Sequence, residues 1–325
     1  MTPHTLPAVR GGAVTAHGAG QPPQALAEFV HPGDRVLTVG PGTAPLQLAG
    51  WTGQPVTSVH TTLADVEVIR AALGPHGRAA GTVDATVGEL FDGRPDAGLF
   101  DVVLVTAAVP GLSPRWLDQL APGGVIVAPV ALGGLHLWTA CGHDHVKADG
   151  LLYGSVLAAG LPAVGPPSAP GERFAVTQSG PPVERLSCPT WAPQWAGVTP
   201  PRLTPEGYVD LWAWLATRDD RITAARTDGT EWGPGCALVV GHSAVHVRPD
   251  GLWLSDTQPA TLALAQVVAE DVQEWGRQHR PAATELTCRL GRRPDAGPDE
   301  LVTAAGWTTH RPVQVSRPAK KEEPQ

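Results

Sequence analysis

Short apolar runs alternate with helix-like stretches between residues 24 and 135. Runs of four to eight residues, rich in Val, Ile and Leu and bounded by turn residues, are typical of buried strands. Strands that alternate with helices at this spacing predict an α/β, doubly wound, Rossmann-like parallel sheet. Ligands of such sheets bind beyond the carboxyl ends of the strands. The sequence predicts strands at 35–39, 55–60, 82–87, 100–108 and 125–132, and helices at 24–30, 44–51, 63–73 and 114–120.

The pattern changes after residue 160. Residues 161–204 are dense in Pro and Gly and predict a linker. Beyond it, helical periodicity over 208–217 and 261–279 alternates with strand-like runs at 236–241, 244–248, 252–256 and 284–290. This pattern predicts a smaller accessory α+β domain over 205–316. The preceding domain is predicted over 14–160, and the charged tail 317–325 is predicted to be disordered. The apolar side expected for the second of these helices consists of Leu264, Val267, Val268, Val272 and Trp275.

Composition narrows the class of protein. The 325 residues carry a formal net charge of −8, which disfavours a nucleic-acid or anionic-membrane binder because both need a basic surface. The chain has no run of about 18 apolar residues that could span a membrane, and its first residues lack the apolar core of a signal peptide. The cysteines are isolated in sequence, which indicates reduced thiols and a cytoplasmic protein.

No metal site is predicted. The HDH run at 143–145 has no acid or cysteine partner nearby and is interpreted as loop histidines. His242 and His246 lie four residues apart, but in a predicted strand meander they would not share a face as helical metal ligands do.

The stretch VLTVGPGTA at 36–44 is the first candidate for binding chemistry. A strand that runs into Gly40-Pro41-Gly42 lets backbone N–H groups approach a ligand closely. A dinucleotide fingerprint would need a further glycine at position 45 and an acid at the end of the second strand. Pro45 and His60 occupy these positions, so NAD does not fit the pattern.

The segment that follows is more specific. FDVVLVTAAVPGLSPRWLDQLAPGGVIVAPV (100–130) closely resembles the protein-L-isoaspartate O-methyltransferase family, through T-A-A-x-P, a helix ending in Gln-Leu, and P-G-G. Residues 83–96 and 32–44 also match family segments, so the resemblance spans roughly 18–132. It implies a class I methyltransferase sheet with S-adenosylmethionine as cofactor. The implied activity is methyl transfer to a side-chain carboxylate, Asp or isoAsp, of a peptide or protein.

The resemblance also implies roles for individual residues in cofactor binding. Gly40 and Gly42 match the family's cofactor turn. Glu89 stands at the position of the acid that accepts a hydrogen bond from the adenine amino group, and Gly88 precedes it as in the family.

Three positions depart from the family pattern. Thr38 replaces an acid that helps to hold the methionine end of the cofactor, and His60 replaces an acid that grips the ribose. Gly20 replaces the serine of the T-I-S-Q-P segment, so no catalytic residue is assigned. Each lost charged hydrogen bond is worth about 1.5–3 kcal/mol, although Thr38 and His60 can still be cofactor-binding residues through their own hydrogen bonds.

Two hypotheses therefore stay open. The first is a carboxyl methyltransferase; the second is a catalytically degenerate relative that binds a peptide or partner enzyme. A fainter resemblance of the second half to methyltransferases encoded with ribosomally made modified peptides in filamentous actinobacteria implies peptide natural-product maturation. The added domain and the lost acids disfavour housekeeping repair of damaged proteins. The sequence carries no signal for the oligomeric state or for the identity of the acceptor.

Overall fold

The computed structural model divides the chain into two compact units. Unit 1 contains the described residues up to Val130, 138–158 and those from Thr287 on, and unit 2 contains 131–137 and 159–286. For 174–177 and 302–309 only the backbone is described. The structure describes residues 26, 28–73, 83–109, 111–145, 152–160, 174–177, 203–227, 235–241, 243–248, 251–291 and 302–309.

Unit 1 is built on a ten-stranded sheet in the order β3-β2-β1-β4-β6-β7-β8-β14-β15-β5. Strand β1 pairs in parallel with β2 and β4, β2 with β3, and β4 with β6. The strands are β1 Val36–Val39, β2 Val56–His60, β3 Val83–Val87, β4 Phe100–Val105, β5 Gly111–Leu112, β6 Leu120–Leu132, β7 Leu135–Cys141, β8 Leu152–Gly160, β14 Leu286–Gly291 and β15 Val302–Thr309. The helices are α1 Ala44–Thr52, α2 Leu63–Leu73 and α3 Pro114–Asp118.

Both faces of the parallel part of this sheet are buried, as its apolar strands predict. On one face Leu37, Val39 and Val103 pack with Trp116 of α3, and on the other face Val36 packs with Leu48 of α1. The strand order reverses between β1 and β4, so the carboxyl ends there form the place where such sheets bind ligands. The predicted doubly wound α/β fold is confirmed.

Several elements of unit 1 differ from the sequence prediction. Strands β5, β7, β8 and β15 were not predicted, and β6 already begins at Leu120 rather than at residue 125. In place of the helix predicted at 24–30, the structure has 3-10 geometry at Leu26 and Glu28. The apolar periodicity of these parts is weak, and their pairing depends on neighbouring strands that are distant in sequence.

Unit 2 contains a five-stranded antiparallel sheet in the order β13-β12-β11-β10-β9 and two helices. Its strands are β9 Phe174–Thr177, β10 Ile222–Thr227, β11 Gly235–Val240, β12 Ser243–Arg248 and β13 Gly251–Leu254, and its helices are α4 Pro205–Arg218 and α5 Pro259–Arg277. Strands β9 and β10 were not predicted. The predicted α+β composition agrees with this unit, and the domain boundaries at 160 and 205 stay predictions.

Helix α5 buries Val268, Val272 and Trp275, as its periodicity predicts. Val267 was expected on the same side, but 44% of its surface is exposed. It lies between Ala265 and Val268, which are buried positions of successive turns, and its own side chain therefore points away from the buried side. No helix in the described ranges combines the length and the apolar character needed to cross a membrane.

Candidate functional site

The glycine turn after β1 has the backbone geometry that its sequence predicts. Gly40 and Gly42 have φ angles of +117° and +105°, a region that L side chains rarely adopt. A Cβ atom at Gly40 would lie 2.8 Å from both the Ala107 amide nitrogen and Thr106 Oγ1, whereas one at Gly42 would have no atom within 4 Å. Thr106 Oγ1 donates to the Pro41 carbonyl oxygen at 2.7 Å, which fixes the turn against the end of β4. The turn is therefore rigid at Gly40 and open at Gly42.

Thr38, Ser58 and His60 form a hydrogen-bonded group on β1 and β2, here called the polar triplet. Thr38 and Ser58 lie directly opposite each other in the parallel ladder, and His60 lies two residues further along the same strand face. Thr38 Oγ1 donates to Ser58 Oγ at 2.8 Å, and Ser58 Oγ lies 2.7 Å from His60 Nε2. The two positions predicted to correspond to acids of the family are thus joined through a serine.

The polar triplet is enclosed and uncharged. The exposed fractions are 1% for Thr38 and 0% for His60. Burial lowers the pKa of His60, an effect that nearby Asp65 opposes, and the imidazole is therefore neutral at pH 7. Its Nδ1 atom is buried and makes no hydrogen bond within the described part of the chain. Neither side chain lines an open surface, so contact with a ligand would require a side chain to move.

Residues 88–94, here called the Glu89 arm, follow the carboxyl end of β3. The Gly88 amide donates to the His60 carbonyl oxygen at 2.9 Å, which joins the start of the arm to the end of β2. Glu89 is exposed, has extended backbone, and precedes a 3-10 turn over Leu90–Asp92. Its carboxylate forms no hydrogen bond or ion pair with any residue that the structure describes, and it is therefore available as an acceptor.

Residues 113–119, here called the α3 segment, hold the Glu89 arm through its backbone. Three successive carbonyl oxygens of the arm accept hydrogen bonds from three different side chains of this segment. The pairs are Trp116 Nε1 to Leu90 O at 2.8 Å, Ser113 Oγ to Phe91 O, and Gln119 Nε2 to Asp92 O at 2.8 Å. The rings of Phe91 and Trp116 also stack, with centroids 5.6 Å apart. The arm is thereby fastened along most of its length.

Gln119 makes the largest number of these contacts. Its side chain is buried, its Nε2 donates to the Arg115 carbonyl at 2.8 Å as well as to the arm, and its Oε1 accepts from the Arg94 amide at 2.7 Å. Between the two arm residues that it bonds lies Gly93, with a φ angle of +62°, where an added Cβ would lie 2.6 Å from Gln119 Oε1. The arm therefore wraps closely around one amide group.

The structure brings together most, but not all, of the residues predicted for the site. Thr38 and His60 meet through Ser58, and Gly88 meets the backbone of His60. Gly20 and the rest of 18–22 lie outside the described residues, and every assignment of a cofactor contact stays a prediction. Ser58 was not predicted; its signal in the sequence is its position two residues before His60, which places both side chains on one face of a strand. Gln119 was not predicted either; it belongs to the Gln-Leu pair that directly follows α3.

A parallel sheet whose strand order reverses beside a glycine turn defines the class of α/β proteins that bind ligands at that turn. Residues 22–139 match the model of the protein-L-isoaspartate(D-aspartate) O-methyltransferase family, PCMT. The resemblance predicted from the motifs is confirmed over this segment, which contains the glycine turn, the polar triplet, the Glu89 arm and the α3 segment.

Curated relatives agree with this match. The chain is 33% identical over 105 residues to protein-L-isoaspartate O-methyltransferase 1 of Nitrosospira multiformis, covering 30% of this chain and 41% of that protein. It is 38% identical over 104 residues to the enzyme of Koribacter versatilis, covering 31% and 45%. It is 31% identical over 115 residues to protein-L-isoaspartate O-methyltransferase 1 of Arabidopsis thaliana, covering 33% and 50%. The chain thus spans no more than half the length of these three relatives.

Solved structures show a more distant likeness. A protein-L-isoaspartate O-methyltransferase aligns at 17% identity with a TM-score of 0.38, covering 83% of this chain and 78% of that one. A Plasmodium falciparum structure, described as a putative protein-L-isoaspartate O-methyltransferase in complex with S-adenosyl-L-homocysteine, aligns at 17% identity with a TM-score of 0.33, covering 42% and 72%.

Proposed function

We propose that the protein is an S-adenosylmethionine-dependent methyltransferase that acts on a side-chain carboxylate, Asp or isoAsp, of a peptide or protein. The observation that carries the proposal is the family match over 22–139, within which the glycine turn and an exposed Glu89 are both retained. A peptide acceptor in natural-product maturation and a cytoplasmic location are part of the proposal, supported by the added second half and by the reduced cysteines expected from the sequence.

The residues present fit one part of the cofactor well. Open space at Gly42 allows a ligand to approach the turn, and the Glu89 carboxylate is an unengaged acceptor for the adenine amino group. When bound, the cofactor supplies a methyl group on a positively charged sulfur. Gly40, Gly42 and Gly88 would let the backbone approach it, and Glu89 would orient its adenine ring.

At the ribose and methionine ends of the cofactor, the residues present offer neutral groups rather than charged ones. Thr38 and His60 offer neutral hydrogen-bonding groups where the family offers carboxylates, and both are turned toward Ser58. Replacing two charged hydrogen bonds by neutral ones lowers affinity by about tenfold or more for each bond. We therefore propose that Glu89 and the glycine turn supply most of the binding free energy.

The acceptor chemistry needs positioning rather than proton transfer. A carboxylate is already the nucleophile, so the protein must place its oxygen in line with the methyl group and exclude water. This requirement is compatible with the absence of a serine at position 20, because no hydroxyl has to act as a base.

The test is methyl transfer by the full chain with radiolabelled S-adenosylmethionine. The acceptors are three peptides that differ at one position, with isoAsp, Asp or Asn. We expect base-labile methyl esters on the isoAsp or the Asp peptide and none on the Asn peptide. Glu89→Gln should raise the KM for the cofactor about tenfold with little change in kcat. Labelling of no carboxylate peptide would contradict the proposal.

The enclosed polar triplet favours a second candidate, a non-catalytic protein that binds a peptide or partner enzyme. Side chains that are enclosed and bonded to one another through Ser58 contact a cofactor only if they move. This candidate predicts that a peptide binds with the same affinity whether S-adenosylhomocysteine is present or absent, and that no methyl ester forms.

A further inference from the structure

The Glu89 carboxylate belongs to a residue whose backbone is fixed on both sides. Before it, the Gly88 amide donates to the end of β2. After it, the Leu90 carbonyl accepts from Trp116 Nε1, and the following residues of the arm are bonded to Ser113 and Gln119. Only the side chain of Glu89 itself is left without a described partner and exposed to solvent. A flexible acid is thereby carried on a rigid backbone.

We propose that Gln119 is a positioning residue: through the Glu89 arm, it holds the Glu89 carboxylate where it accepts a hydrogen bond from the amino group of a purine. The inference rests on the proposed function, since that function provides the adenine-containing ligand. Gln119 does not touch this ligand and acts only through the backbone of residues 92–94.

The chemistry of the amide group singles out Gln119 within the α3 segment. Its Nε2 donates to the Asp92 carbonyl while its Oε1 accepts from the Arg94 amide, so that one side chain closes the turn around Gly93. Glutamate in its place would lose the donor, and an apolar residue of similar length would lose both bonds. In the first case the partly buried Asp92 carbonyl would lack its donor, in the second the Arg94 amide would also lack its acceptor, and the arm would have to rearrange.

A rigid arm matters for recognition because the carboxylate must meet a single N–H donor. A side chain carried on ordered backbone loses less conformational freedom on binding than one on a mobile loop. The ion pair between Arg115 Nη1 and Asp92 Oδ1, at 2.7 Å, also joins the α3 segment to the arm, but both side chains are partly exposed. Exposed ion pairs contribute little, so Arg115 provides a matched control.

The experiment is calorimetric titration of the full chain with two ligands. One is S-adenosylhomocysteine, and the other is its 6-oxo analogue S-inosylhomocysteine, which presents a carbonyl oxygen in place of the amino group. We expect wild type to prefer the adenosyl ligand by about tenfold or more, which is the loss associated with one charged hydrogen bond. Gln119→Met should reduce this ratio to below about threefold, while Arg115→Ala should leave it unchanged.

The ratio of the affinities for the two ligands distinguishes a positioning role of Gln119 from a role in stability alone. A lower melting temperature of Gln119→Met with an unchanged ratio would show a purely structural role and overturn the inference. If Gln119→Met does not fold, Trp116→Phe removes only the bond to the Leu90 carbonyl and keeps an aromatic ring against Phe91. This variant should lower the ratio about two- to fourfold, and an unchanged ratio would again overturn the inference.

Failure of the proposed function has a different signature. If wild type binds neither ligand at millimolar concentration, the proposed function and the inference both fail. If wild type binds both ligands equally, cofactor binding is supported. In that case Glu89 does not recognise the amino group, and the proposed positioning role of Gln119 is wrong.

Discussion

The Glu89 arm and the polar triplet lie towards the carboxyl ends of neighbouring strands, yet their polar side chains differ in exposure and in hydrogen bonding. In the arm, the backbone is bonded to the α3 segment and the carboxylate is left exposed. In the triplet, the side chains of Thr38, Ser58 and His60 bond to one another and are enclosed. One region has an exposed acid, and the other has a buried neutral group at the two positions that the motif resemblance predicts to correspond to acids.

The triplet shows how neutral polar side chains at these two positions are accommodated in a closed interior. A buried polar group without a partner is unfavourable by about 1–3 kcal/mol. Ser58 gives Thr38 Oγ1 and His60 Nε2 a hydrogen-bond partner, whereas His60 Nδ1 has none within the described part of the chain. The neutral side chains predicted to stand at two acidic positions of the family are therefore mostly, but not fully, satisfied in the closed interior.

The largest expected effect on the free energy of unfolding concerns Trp116, which packs against the Glu89 arm and bonds to its backbone. Trp116→Ala should lower the free energy of unfolding by about 3–5 kcal/mol, because a fully buried indole is removed from the core. Trp116→Phe, which keeps most of the packing, should lower it by about 1–3 kcal/mol. Urea unfolding of the full chain measures both. Equal losses for the two variants would mean that ring volume is not what anchors the arm.

The next effect tests the triplet. Ser58→Ala should destabilise the protein by about 1–3 kcal/mol, because His60 Nε2 loses its partner and Thr38 Oγ1 keeps only a longer contact, of 3.5 Å, to the Thr57 carbonyl oxygen. The control is the Thr38→Val/Ser58→Ala double variant, in which the loss should be smaller than the sum of the single losses, since Thr38 then has no hydroxyl to satisfy. A negligible loss for Ser58→Ala would show that the triplet does not stabilise these strands.

A pH dependence of stability follows from the buried histidines. Burial lowers the pKa of His60 from 6.5, and burial together with Arg248 lowers the pKa of His246 in unit 2 to about 3. The unfolded chain therefore binds more protons than the folded one below pH 6.5. Stability should be complete above pH 6.5 and fall with decreasing pH, by at most about 1.4 kcal/mol per pH unit for each histidine, down to the folded-state pKa.

Urea midpoints between pH 7 and pH 4.5 measure this dependence. His246→Gln should flatten the curve over the whole range, and His60→Gln only over its upper part, because the opposing charge of Asp65 limits the shift at His60. Parallel curves for wild type and His60→Gln would mean that His60 is not held neutral in the folded protein.

The smallest effect is expected at the exposed link between the arm and the α3 segment. Arg115→Ala removes the ion pair with Asp92 and should change the free energy of unfolding by less than about 1 kcal/mol, because solvent screens the pair. Thermal melting at low and high salt checks this expectation. A loss as large as that of Trp116→Phe would mean that charge, rather than the backbone bonds, holds the arm.

Much of the parallel sheet could be predicted from the sequence because each of its strands carries its own apolar run and turn residues. Strands β1 to β4 and helices α1 and α2 follow local patterns that are strong over 36–73 and 83–105. Strands β9, β10 and β15 have weak local signals and are stabilised by pairing with distant segments. Local patterns therefore identify the region of the site better than they identify the sheet edges.

Individual residues of the site could be predicted from the sequence, but the hydrogen bonds that join them could not. The motif match identified Glu89, Gly40, Thr38 and His60 as positions of interest. It could not indicate that Ser58 joins two of them, because that bond depends on the parallel register of β1 and β2. The same limit applies to Gln119, whose two hydrogen bonds to the arm join residues that are 25 and 27 positions apart in the sequence.

The proposal that the sheet of unit 1 binds S-adenosylmethionine, with Glu89 as the acceptor for its adenine amino group, can be tested by calorimetric titration of the full chain with S-adenosylhomocysteine. We expect wild type to bind with a Kd in the micromolar range, Glu89→Gln to bind about tenfold or more weakly, and Arg115→Ala to bind as wild type does. Absence of heat at millimolar ligand would refute cofactor binding, and an unchanged Kd for Glu89→Gln would refute the role of Glu89.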